Sequence, residues 1–161
     1  MNFLDVLEQT SMARWVVESD YGYYILLAGH AIGMGVVAGI MFMLSIRVLG
    51  FGKEEPLSVF TRLFPVAWMG FALNAFTGVV LFASNGRHLL ENIPFDLKLA
   101  MIALGGVAVF ALWRVVQTDE PFLAGTAAAS SRTKVLAVLT FCLWTGAIIA
   151  GRIIGYTISY E

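Results

Sequence analysis

Four runs of this 161-residue chain are apolar for long enough to cross a bilayer, and nothing else in it restricts the fold as tightly. A hydrocarbon core roughly 30 Å thick needs about 20 helical residues at a rise of about 1.5 Å each. The runs are Tyr23 to Ile46, Leu63 to Ser84, Leu97 to Trp113 and Val135 to Tyr156. Composition agrees, since 59% apolar residues, 13% charged residues and a mean hydropathy of +0.82 lie far from the soluble average. The expectation is an all-α integral membrane four-helix bundle forming a single domain. A net charge of −1 offers no basic field for nucleic acid. The lone Cys142 excludes an intrachain disulfide and a thiolate metal cluster.

Within the second run Pro65 is expected to bend or tighten the helix, which is entered through Pro56. The third is short between Lys98 and Arg114, whose heads extend toward the interfaces while their stems stay in lipid. The runs are joined by "GKEEP", "NGRHLLENIP" and "QTDEPFLAGTAAASSRTK", of which the last is linker-like and carries Ser130 and Ser131 as N-cap candidates. Ahead of the first run, over about residues 2–19, Phe3, Leu4, Leu7, Met12, Trp15 and Val16 recur at helical spacing against Asp5, Glu8, Arg14 and Glu18. That pattern predicts an interfacial amphipathic helix with Trp15 at headgroup level. The stretch lacks the features of a signal peptide and is expected in the mature chain. Arg47, Lys53 and Arg62, with Arg114, Arg132 and Lys134, make one side the richer in basic residues. The positive-inside rule then predicts a bacterial inner-membrane protein with both termini periplasmic.

Sorted by depth, the polar residues of the runs gather in the external leaflet, roughly 6 to 15 Å deep by helix rise. They are His30, Asn74, Thr77, Lys98 and Arg152. Gly70, Asn74, Thr77, Gly78 and Leu81 share one helix face. Gly29 and Gly33 flank His30 and leave room for a flat ligand, whereas Gly35 and Gly39 read as close helix packing. His30 itself is either a neutral ring bonded to Asn74, Thr77 or a carbonyl, or an axial ligand to haem iron. Met34 and Met41 share its face, as core filling or as a copper path. Arg152 has no acid within any run and calls for an anion: a lipid phosphate, a haem propionate or a partner's carboxylate, with Lys98 serving the same anion. His88 is the candidate second metal ligand, and a bis-histidine site brings the two coordinating nitrogens to about 4 Å.

"HAIGMGVVAGIMFMLSIRVLGF", "FALNAFTGVVLF", "FDLKLAMI" and "LWTGAIIAGRIIGY" together resemble an uncharacterised family of small four-span bacterial inner-membrane proteins. The matching features are His30, Arg47 before Leu-Gly, Thr77 with Gly78, Phe95 with Lys98, and Gly151 with Arg152. The layout is similar to that of CopD-like and cytochrome-b-like four-helix membrane domains. Where a bis-histidine cytochrome carries a further His in its third helix, this chain has Phe110 and Trp113. Three functions stand open. One is a b-type electron-transfer subunit, with haem b on His30 and its propionates on Arg152 and Lys98. Another is a cofactor-free accessory or scaffold subunit working with other membrane subunits or as a homo-oligomer. The third is a copper-handling or permeation protein. No nucleophile or acid–base constellation points to an enzyme.

Overall fold

The computed structural model describes residues 3–52, 57–124 and 126–157. Among the described residues eight helices follow in order: α1 (Phe3–Glu8), α2 (Ser11–Glu18), α3 (Gly22–Leu49), α4 (Leu57–Thr61), α5 (Phe64–Leu90), α6 (Ile93–Thr118), α7 (Glu120–Leu123) and α8 (Ser131–Thr157). There is no strand among the described residues. By length and composition α3, α6, α8 and the stretch from α4 through α5 are able to cross a membrane. In hydrocarbon a helix is the way a single segment satisfies its own backbone, which is why apolar runs of this length fold as they do.

The helices overrun the apolar segments that announce them. α6 begins at Ile93 and ends at Thr118, so Lys98 and Arg114 lie inside it, and α5 continues to Leu90. Hydropathy marks the part suited to lipid, while the helix ends where its backbone groups find other partners. Gly50 ends α3 in the left-handed region (φ 107°), its N–H turned back to the carbonyls of Ile46 and Arg47. Ser130 starts α8, its Oγ accepting from Thr133 N–H at 3.3 Å. Pro65 falls in the first turn of α5, where a missing N–H costs nothing, directly after the turn at Arg62 and Leu63 that interrupts the stretch between α4 and α5; a further break lies at Asn85 (φ −147°, ψ 31°). Pro56 lies outside the described residues.

α3 packs along α5, α6 along α8, and α3 against α8, giving the spatial order α5, α3, α8, α6. The outer pair, α5 and α6, meets through aromatic rings: Phe82 stacks on Phe95 near their turn (5.7 Å, 7°), and Phe64 meets Trp113 toward the other end (6.2 Å). Met41, Leu44, Val48, Leu112, Val116 and Ala137 fill the half nearer the α3–α4 and α6–α8 connections. Leu57 and Phe122 plug it from those connections. The linker-like stretch is therefore partly built in: Asp119 caps α7 (Phe122 N–H to Oδ1, 3.3 Å) and so inserts Phe122 into the core.

The single amphipathic helix expected over about residues 2–19 is two helices. Thr10 Oγ1 donates to the Leu7 carbonyl (2.7 Å) and accepts from Ala13 N–H (3.3 Å), which ends one turn and caps the next. α2 buries Ala13 and Val16 and exposes Met12, Trp15 and Val17. Both helices dock on α5, where Arg87 pairs with Asp5 and with Glu8. The segment is tied to the bundle as well as amphipathic.

Candidate functional site

The site begins where α3 crosses α5. A Cβ on Gly33 would stand 2.7 Å from the Gly70 carbonyl oxygen and 2.8 Å from Asn74 N, and one on Gly70 would stand 2.8 Å from Val36 Cγ1. Two helices pack backbone to backbone there because neither residue carries a side chain. One turn toward the chain termini, the polar residues meet. Asn74 Nδ2 donates to the His30 carbonyl at 2.8 Å, and His30 Nδ1 lies 3.0 Å from the Asn74 carbonyl. Each side chain thus bonds the other's backbone. A carbonyl oxygen can only accept, so Nδ1 carries the hydrogen and Nε2 presents a lone pair. Thr77 Oγ1, 2.7 Å from the Leu73 carbonyl to which it donates, sits 3.1 Å from the same Nδ1.

Nε2 points to α6, where Lys98 Nζ donates to it at 3.1 Å. The lysine arrives from the second turn of α6 and its stem runs over Gly151 of α8, at which a Cβ would be 3.5 Å from both Cε and Nζ. Gly78 of α5 closes the other side, with a Cβ position 3.1 Å from His30 Cε1. His30, Asn74, Thr77 and Lys98 therefore form one connected hydrogen-bond network across α3, α5 and α6, with α8 contributing the space. Among the described residues no carboxylate pairs with Lys98 or Arg152.

Of the residues singled out from sequence, His30, Asn74, Thr77 and Lys98 come together and two others do not. Arg152 is exposed; its guanidinium lies 5.7 Å above the Tyr156 ring and its Nη2 is 3.4 Å from the Tyr156 hydroxyl. Its neighbour Gly151 reaches the network in its stead. His88 is exposed in the last turn of α5, past the break at Asn85. It follows Gly78, which touches His30, by about 15 Å of helix rise, against the roughly 4 Å that a shared metal needs. The place expected beside Gly33 for a flat ligand is filled by the Gly70 and Asn74 backbone. Gly35 and Gly39, expected at a close helix contact, have nothing within 4 Å. Met34 and Met41 are core residues at 8% and 0% exposure. The sequence places Gly78 on the face of Asn74 and Thr77 but not against His30, and it misses the part of Gly151 in the site. Both stand in the quoted motifs, and the missing signal was which helix each one faces.

A haem does not fit this arrangement. An axial histidine binds iron through the nitrogen left free by its orienting bond. Here that nitrogen is held by an ammonium, the adjacent face is closed by backbone, and the other histidine is out of reach. No protein-family model, curated protein or solved structure matches the chain.

Proposed function

We propose that the protein is a cofactor-free accessory subunit of the bacterial inner membrane, a four-span bundle whose helices are held in register by the His30, Asn74, Thr77 and Lys98 network. The observation that carries this reading is that both ring nitrogens of His30 are engaged by the chain's own groups. A histidine used in this way fastens helices to one another. Its hydrogen bonds lie inside the bundle, where in lipid such bonds contribute about 0.6 kcal/mol on average and at most about 1.7 kcal/mol. The outer faces of α5 and α6 remain apolar, with Met69, Phe76, Val79, Leu104, Val107 and Phe110 exposed, and suit lipid, other membrane subunits or a second copy. The basic-residue asymmetry supports periplasmic termini.

The test is isolation of the protein from cells supplied with ample haem and copper. A colourless preparation without copper by elemental analysis, eluting as an oligomer or with another membrane protein, is the expected result. A Soret band that disappears in His30→Ala overturns the proposal in favour of a b-type cytochrome.

A further inference from the structure

At the end of α6 and α8 nearer the chain termini, two cations lie without a carboxylate partner among the described residues. Lys98 is half-buried and brings three N–H donors, one of which is used on His30 Nε2. Because that nitrogen accepts as part of a neutral ring, the bond leaves the ammonium charge in place. Arg152 is a second cation close by. The Cβ position of Gly151 is 3.5 Å from Lys98 Nζ, and adjacent Cα atoms are 3.80 Å apart, so the Cα of Arg152 lies within about 9 Å of that nitrogen. Neither cation pairs with a carboxylate among the described residues, and Asp96, two residues before Lys98, projects from another side of α6. The bond from Arg152 to Tyr156 is long and the ring supports the guanidinium from one face, which leaves the fork of donors open.

Two cations at low dielectric repel one another and attract an anion. We propose that Lys98 and Arg152 together bind the phosphate of an anionic membrane lipid. Lys98 is only about 8 Å of helix rise from the start of α6, and while one N–H is held by His30 the other two remain to donate to a headgroup oxygen. Tyr156 and the Tyr23–Tyr24 pair occupy the same end of the bundle, as aromatic residues do at a membrane interface. A phosphodiester supplies acceptor oxygens for both an ammonium and a planar fork, and its acyl chains lie against apolar helix faces that are already exposed.

The experiment is titration of the purified protein in neutral detergent with dioctanoyl phosphatidylglycerol, read by native mass spectrometry and by thermal shift. One saturable lipid adduct is expected, with affinity reduced about tenfold in Lys98→Met and in Arg152→Gln and kept in Lys98→Arg. The double variant Arg132→Gln, Lys134→Gln at the opposite end binds as wild type. Arg152 is exposed, so Arg152→Gln keeps the test valid even where Lys98→Met does not fold. Undiminished binding by Arg152→Gln, or an equal loss in the Arg132, Lys134 variant, overturns the site. Equal stabilisation by inorganic phosphate at the same concentration assigns it to a soluble anion and overturns the lipid.

Discussion

Asn74 and His30 each give a side-chain hydrogen bond to the other's backbone carbonyl, a reciprocal bond that needs both helices at one separation and one rotation. Lys98 then turns a two-helix contact into a three-helix one. Removing Lys98 leaves Nε2 without its donor, and removing His30 leaves the ammonium without its acceptor. The two losses should overlap. In a double-mutant cycle of His30→Ala with Lys98→Met, followed by denaturant unfolding in detergent, the single variants should each cost on the order of 1 to 2 kcal/mol with a coupling of about 0.5 to 1.5 kcal/mol. Strict additivity would mean that the bond contributes nothing. Depth and helix face were enough to group His30 with Asn74 and Thr77 from sequence. They also put Arg152 at the right level but said nothing of its direction, because one residue along a helix turns the side chain by about 100°.

At the scale of helices, the α3–α5 crossing depends on Gly33 and Gly70. Gly33→Ala drives a methyl group against the Gly70 carbonyl, a rigid neighbour, and should cost about 1 to 3 kcal/mol, whereas Gly39→Ala meets open space and should stay within about 0.5 kcal/mol. Unfolding midpoints of the two variants in one detergent make the comparison, and equal effects would contradict the crossing. The sequence separated Gly33 from Gly39 by the nearness of His30 but assigned the close packing to the wrong pair, since each ends a small-xxx-small pair and only the partner helix tells which one is covered. The break between α1 and α2 was hidden for another reason: the apolar period continues across Thr10, and its capping bonds interrupt the helix without interrupting the pattern. Arg87 ties this segment down through an exposed ion pair, so Arg87→Ala should change global stability by no more than about 1 kcal/mol. Amide exchange over residues 3–18 should nonetheless accelerate.

Among the described residues, four long helices lie in the order α5, α3, α8, α6, with an apolar plug at one end and a polar network toward the other. Hydropathy alone located all four, because span length is a one-dimensional property; which helices adjoin is a matter of side-chain fit and was not legible. The glycines on α8 show the fit, with Met101 of α6 set against Gly146 and Lys98 against Gly151. With periplasmic termini, a cysteine at Asn85 in a Cys142→Ala background should react with an impermeant maleimide in intact cells, and one at Ser130 should not. The opposite pattern reverses the orientation.

The central claim is that the protein's own groups hold both nitrogens of His30. Nitrogen-15 NMR of the histidine-labelled protein reads this directly. The expected spectrum for His30 has a protonated, pyrrole-type Nδ1 and an unprotonated, pyridine-type Nε2 whose shift moves in Lys98→Met. A protonated Nε2, a paramagnetically displaced ring, or an Nε2 resonance indifferent to Lys98 would contradict the claim.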